Sequence, residues 1–358
     1  MKEEFLAYKL KNMPLKDKIG QMIIIDYRNI TAMTIELEKL LTTYNPGGFI
    51  LFKSNIATFN QTKKFLDDIK NASNIKTIIS VDQEGGNVQR LDERVGFRKY
   101  PPMSEIGKTM DTRIAFELGA KMGAELKTLG IDMDMAPVLD IFSNPNNKVI
   151  ADRAFGTNGE IVKKMALAYV AGLKSENIIA VGKHFPGHGD TITDSHIDLP
   201  VIEKDLESLK QLELIPFIEA VNQKVPGLMV AHIAVPKITR DNIPASLSKN
   251  MINDLLRNDI GYNGLIMPDS LKMKALTNHF TTEDIYLRCI NAGNDFLLMP
   301  QDIKEAFETI YRKVNEGIIT EARLDESVYR ILLAKFDCGF LSDEYQQFLK
   351  ANEKRIKH

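Results

Sequence analysis

Eight short apolar runs punctuate the chain: QMIIIDY (21–27), GGFILF (47–52), TIISVDQE (77–84), DMDMAPVLD (132–140), IIAVGKHF (178–185), LMVAHIAVP (228–236), GLIMPDS (264–270) and DFLLMP (295–300). Between them lie stretches such as TRIAFELGAKMGAELKTLG, GEIVKKMALAYVAGLKSE and PQDIKEAFETIYRKVNEG, whose apolar residues recur at helical spacing. Near-continuous apolar strands have no solvated face, so their alternation with helices implies a parallel sheet covered by those helices. Eight such units are what a (β/α)8 barrel of the TIM type requires. A doubly wound sheet is the alternative, but no GxGxxG follows any of the runs. The expected fold class is therefore α/β, a (β/α)8 TIM-type barrel. Extra C-terminal helices are expected from DIKEAFETIYRKVNEG and TEARLDESVYRILLAKFDCGFL, which follow the last run. With no repeat and no Pro/Ser-rich linker, residues 1–358 read as a single domain.

Composition narrows the partners. The formal charge of −2 and the sequence pI near 6.4 leave no basic footprint for nucleic acid. Lys354, Arg355, Lys357 and His358 form a short basic tail that reads as solvated terminus. Cys289 and Cys338 follow neither a redox nor a zinc spacing, and so few thiols fit a reducing compartment. The opening MKEEFLAYKLKNMPL carries charge where a secretory signal needs an apolar core, and no run reaches membrane-spanning length. The expectation is a soluble, cytoplasmic monomer with no nucleic-acid or membrane partner, unless a leader has been trimmed.

Most of the strand runs end in charged or polar residues: Asp82 and Glu84, Asp140, Lys183 and His184, His232, Asp269. In a barrel these ends meet on one face, where active sites form. Any one of them could merely punctuate a strand as a turn former. Asp269 would present a partly desolvated carboxylate suited to a covalent nucleophile or a cation stabiliser, or it caps a helix over LKMKAL. VDQEGGNVQR (81–90) sets Arg90 near Asp82, and ADRAFG (151–156) adds Arg153. Carboxylates, Lys and Arg on one pocket without a phosphate loop suit the hydroxyls of a sugar. Structural pairing of the arginines with Asp82 or Asp152 is the plainer reading.

The stretch KHFPGHGDTITDSH (183–196) holds three of the chain's six histidines. Asp194 and His196 stand two apart, so on an extended backbone both side chains point the same way. A carboxylate beside an imidazole fixes its tautomer and raises its pKa, giving a proton donor usable near neutral pH. Gly187 and Gly189 suggest a flexible loop able to swing over a ligand. Metal ligation by His184, His188, Asp194 and His196 is the rival. The neighbouring ammonium of Lys183 and the absence of HxH or HExxH weigh against it. No metal and no cofactor are expected.

KHFPGHGDTITDSHIDLP resembles the signature of glycoside hydrolase family 3, in its β-N-acetylglucosaminidase branch. The likeness continues in DQEGGNVQRL, APVLDIFSNPNNKVIADRAFG, MVAHIAVP and IMPDSLKMKAL, in order from about residue 15 to 335. The resemblance implies a retaining exo-β-N-acetylglucosaminidase acting on cell-wall, peptidoglycan-derived sugars. It assigns Asp269 as nucleophile, and His196 with Asp194 as general acid/base. It also implies that Asp82, Arg90, Arg153, Lys183 and His184 hold the terminal sugar. Adjacent residues of a regular strand face opposite ways, so Lys183 and His184 can share a ligand only across an irregular backbone, such as a cis non-proline peptide. Ala154 stands where the family commonly has serine, and Pro268 where a serine often precedes the nucleophile. Larger relatives often supply the acid/base from a second domain; here it is expected from the barrel. The alternatives are a phosphorylase or β-glucosidase of the same family, a metal-dependent amidohydrolase-like barrel, and a non-catalytic sugar-binding protein.

Overall fold

The computed structural model describes every residue except Ile192, Thr193, His196, Lys357 and His358. Its strands are β1 (Ile23–Ile25), β2 (Gly48–Leu51), β3 (Ile78–Val81), β4 (Gln83–Gly85), β5 (Val88–Gln89), β6 (Met133–Asp134), β7 (Ile179–Phe185), β8 (Gly227–Val230), β9 (Leu265–Pro268) and β10 (Leu297–Leu298). Eight of them form one sheet in the order β10-β1-β2-β3-β6-β7-β8-β9, with every ladder parallel. β4 and β5 make a small antiparallel hairpin that follows β3 at one end of the sheet. The eight sheet strands are those expected, and each is buried along its whole length, which is why their sequences run apolar without alternation.

The ladders are shorter than the apolar runs. In 132–140 the ladder stops at Asp134, because Pro137 has no N–H to donate. That segment still follows β7 by bonds in the other sense: Lys183 N–H donates to Pro137 O (3.1 Å) and Leu139 N–H to Lys183 O (2.5 Å). The barrel closes between β9 and β10 without a ladder. Asp295 N–H donates to Ile266 O at 2.7 Å, and the Asp295 carboxylate accepts from Ile266 N–H at 2.8 Å. A side-chain bond thus supplements a few backbone bonds at the seam.

Helices cover the outside. Thr112–Leu129 and Gly159–Ser175 are capped by Asp111 and Asn158, whose side chains accept from first-turn N–H groups. These two helices touch through glycine: a Cβ on Gly119 would lie 2.2 Å from Tyr169 O, and one on Gly172 2.2 Å from Phe116 O. The second helix leads directly into β7 and so fixes the height of Lys183 and His184. Beyond β10 the expected extra helices are Ile303–Asn315 and Glu321–Asp337, followed by Ser342–Ile356. Among the described residues no helix is long and apolar enough to cross a membrane.

Asp295 is fully buried and also accepts from Arg257 (2.6 Å), Ser327 (2.8 Å) and Arg330 (3.1 Å). Asp295→Ala strands those cations and the Ile266 N–H, so it should destabilise the barrel by about 3–5 kcal/mol. Urea unfolding measures this; a midpoint equal to the parent's would show that the seam closes without the carboxylate.

Candidate active site

The C-terminal ends of the strands surround a cavity of about 440 Å³, lined among others by Asp82, Arg90, Arg153, Lys183, His184 and Asp269. Asp82 follows β3, Lys183 and His184 lie in β7, and Asp269 follows β9. The peptide between Lys183 and His184 is cis, and the β7–β8 register shifts there. Both side chains line the cavity. The irregular backbone expected at this point is present.

A chain of alternating charges forms the floor. Arg153 grips Glu84 with two parallel hydrogen bonds of 2.8 and 2.9 Å. Lys183 Nζ lies 2.5 Å from Glu84 and 3.0 Å from Asp82, and Arg90 closes the chain on Asp82 at 3.2 Å. Glu84 and Lys183 are each 2% exposed. Burial opposes the charge on Glu84, but the Arg153 guanidinium and Lys183 ammonium outweigh it and hold the carboxyl far below its usual range. Burial likewise opposes the charges on Lys183 and Arg153, yet Glu84 raises both. Arg90 both pairs with Asp82, as its spacing suggested, and lines the cavity. Arg153 pairs with Glu84 and not with its neighbour Asp152.

Asp140 organises the other wall. Its Oδ2 accepts from His184 Nδ1 at 2.6 Å, its carboxylate receives the His184 N–H, and Oδ1 accepts the His188 N–H at 2.6 Å. Burial disfavours its charge, but His184 and His188 bring its carboxyl below the usual value. With Nδ1–H committed to Asp140, His184 keeps Nε2 for a ligand. His188 is buried, its ring edge-on to His184 at 5.9 Å, with Thr191 on Nδ1 and Ser195 on Nε2. Burial, then His184, push its imidazole below the ordinary value, so it packs as a neutral ring. Among the described residues no group of three or more His, Cys, Asp or Glu is placed to hold a metal.

Asp269 is partly open to the cavity. Its Oδ1 accepts the Ser270 N–H at 2.7 Å, and its own N–H donates to Val230 O at 2.9 Å. Burial would raise its carboxyl, but His184, His232, the Ser270 N–H and Lys183 bring it below the usual value. It caps no helix: the next one starts at Lys274, with Met273 before it. An anion held open at a barrel mouth is available for chemistry.

The glycines before the DSH stretch differ from their expectation. Gly187 and Gly189 do not loosen the segment. A Cβ on Gly189 would lie 1.7 Å from Ile141 O, and Gly187, at φ +128°, sits against Glu213; the chain is buried from Lys183 to Gly189. These glycines are there for close approach. The Asp194 carbonyl accepts from Ile197 N–H (2.8 Å) and Asp198 N–H (3.1 Å). Ser195 lines the cavity. His196, expected as the acid/base, lies outside the described residues. Sequence reading noticed Glu84 and Asp140 only as strand ends and assigned them no role. Arg28, stacked 3.9 Å over the Phe52 ring at the cavity rim, carries no local signal that could have found it.

The C-terminal mouth of the barrel thus holds ion-paired carboxylates and cations around one partly open carboxylate. Comparison with known proteins gives the family. Residues 14–334 match the glycosyl hydrolase family 3 N-terminal domain, and the chain belongs to that family. It is 32% identical to Beta-hexosaminidase A of Pseudoalteromonas piscicida, over 88% of this chain and 60% of the relative. It is 36% identical to Beta-hexosaminidase of Methylobacillus flagellatus, over 74% and 76%. A family 3 β-N-acetylglucosaminidase from Paenibacillus sp. str. FPU-7 superposes with a TM-score of 0.88 at 35% identity, covering 92% of this chain and 63% of that one. The chain therefore spans less than two thirds of the Pseudoalteromonas and Paenibacillus proteins.

The charge chain predicts a pH signature. The folded Glu84 carboxyl titrates far below its ordinary 4.5, so its stabilisation is complete above that pH and is lost as pH falls below it. Glu84→Gln lacks this contribution. The stability gap between parent and variant should narrow as pH is lowered from about 6 to about 3, read by urea unfolding at each pH. A gap that stays constant would remove Glu84 from the ionic network.

Proposed function

We propose that the protein is a retaining exo-β-N-acetylglucosaminidase that releases terminal N-acetylglucosamine from cell-wall, peptidoglycan-derived sugars. The observation that carries the reading is the asymmetry among the carboxylates lining the cavity. Asp82 and Glu84 are bound by Lys183 and the arginines, whereas Asp269 is held as an anion whose Oδ1 accepts the Ser270 N–H and which, among the described residues, joins no salt bridge. Asp269 is thus the group suited to attack an anomeric carbon, with the ion-paired floor and His184 holding the sugar hydroxyls.

A glycosyl-enzyme formed this way needs a proton donor for the departing oxygen. Among the described residues, no lining carboxyl is suited to donate: Glu84 and Asp269 are held low and Asp82 lies between two cations. That supports His196, oriented by Asp194, as general acid and then as the base that activates water. The relatives named as β-hexosaminidases support the N-acetyl sugar. The reading takes residues 1–358 as one barrel domain, acting on its substrate as a cytoplasmic monomer.

Asp269→Asn keeps shape but removes the nucleophilic charge. Turnover of p-nitrophenyl N-acetyl-β-glucosaminide should fall by at least about 10³-fold while N-acetylglucosamine still binds. A variant keeping a tenth of the parental kcat would sink the assignment. The parent should prefer this substrate to the glucoside, and inorganic phosphate should not accelerate it; acceleration would favour phosphorolysis. In His196→Ala, cleavage of a disaccharide should suffer far more than glycosyl-enzyme formation from the aryl glycoside, whose leaving group needs no proton.

A further inference from the structure

We propose that Arg28, Lys272 and Lys274 form an anion-binding subsite at the mouth of the cavity, which takes a carboxylate carried by the leaving group. This rests on the exo-glycosidase reading, in which the terminal sugar fills the floor and the residue behind it stays at the mouth.

Charge is unevenly placed on the cavity wall. Among the described lining residues the cations are Arg28, Arg90, Arg153, Lys183, Lys272 and Lys274, and the acids are Asp82, Glu84 and Asp269. Arg90, Arg153 and Lys183 are taken up by Asp82 and Glu84 on the floor. The other cations come from two segments: Arg28 follows β1, and Lys272 and Lys274 follow Asp269 beyond β9. A single carboxylate serves them. Asp26 accepts from Arg28 Nε at 3.0 Å and from Lys272 Nζ at 2.6 Å. Lys274 is exposed and, among the described residues, joins no ion pair.

A group of basic side chains is commonly no more than solvated surface. Two features set this one apart. The Asp26 side chain is only 6% exposed, and its ion pairs among the described residues are with Arg28 and Lys272. A carboxylate withdrawn from water in this way fixes the cations it holds. The second feature is the Arg28 guanidinium, which lies 3.9 Å over the Phe52 ring. Its only hydrogen bond among the described residues leaves from Nε. Stacking and that bond together fix the plane of the fork, while both terminal nitrogens stay uncommitted on a side chain 48% exposed. Such a fork matches the two oxygens of a carboxylate. The same Phe52 ring lies 5.6 Å from Arg90, so the subsite adjoins the floor network. Depth separates the two: the floor lysine Lys183 is buried, whereas Arg28 and Lys272 reach solvent.

The test uses two open-chain derivatives of the β-linked disaccharide of N-acetylglucosamine, one with its reducing end oxidised to a carboxylate and one with it reduced to an alcohol. They differ in charge at one carbon of the leaving group. The parent should favour the acid by about fivefold in kcat/KM, and the preference should shrink as salt rises from about 0.01 M to about 1 M. Arg28→Ala should bring the ratio close to one, and Arg28→Glu should invert it. Arg28→Lys, a charge without the fork, should leave an intermediate ratio. Lys274→Ala should weaken the preference with thermal unfolding unchanged, since that side chain is exposed and unpaired among the described residues. A parent that cleaves both derivatives equally well would overturn the proposal, and the exo-glycosidase reading would stand. A preference that survives in the Arg28→Ala, Lys274→Ala double variant would overturn it too. Acceleration by inorganic phosphate would assign these cations to an acceptor and also overturn it. If neither derivative is cleaved and the p-nitrophenyl glycoside is not turned over, the exo-glycosidase reading falls and the subsite with it.

Discussion

A lysine ammonium almost wholly removed from water cannot stand alone, and the cavity is built around that requirement. Lys183 is 2% exposed and reaches both Glu84 and Asp82. Each of those carboxylates then takes an arginine. Five side chains from four stretches of the chain become one network that spans the barrel mouth. Such buried ion networks contribute little net stability over apolar packing. What the network does supply is a fixed array of donors and acceptors, dense enough to match the hydroxyls of a sugar. Its own count is uneven, three cations to two carboxylates. Lys183 is also among the groups that hold the Asp269 carboxyl low, after His184, His232 and the Ser270 N–H.

The same barrel interior contains a carboxyl of the opposite kind. Asp134 is fully buried, and burial pushes it well above its usual value against the opposing Gln83 N–H and Lys183, with smaller help from the carboxylates Asp82 and Glu84. It accepts from Gln83 N–H at 3.0 Å, which locates it beneath the network, away from the cavity lining. Environment thus shifts these carboxyls in opposite directions: upward beneath the network, where burial wins, and downward at Glu84 and Asp269, where the surrounding cations and histidines win.

The fold was legible because parallel strands buried on both faces leave continuous apolar runs, and the helical covers leave their three-to-four spacing. Strand lengths were not legible, since they depend on details such as Pro137 and on a seam that the Asp295 side chain helps to close. Within the site, strand-end position gave the cavity-lining residues Asp82, Lys183, His184 and Asp269, while of their pairings only that of Asp82 with nearby Arg90 was within reach of local spacing. Arg153 meets Glu84 across 69 residues and His184 meets Asp140 across 44, separations at which local spacing carries no information. Nearby Asp152 was the natural partner to suspect for Arg153, and geometry refused it. Composition misled in the loop, where glycine was read as freedom and turned out to be close packing.

That loop also shows how one short stretch can serve two mechanical ends. From Lys183 to Gly189 the chain is buried, wedged by glycine against Ile141 and Glu213 and bonded to Asp140. Lys183 and His184, which line the cavity, sit there. Further along, Ser195 meets His188 at 3.3 Å and Asp198 meets His279 at 2.6 Å. Glycine thus serves rigidity in the first half of the stretch, because Gly187 and Gly189 let the backbone pack where a side chain would collide.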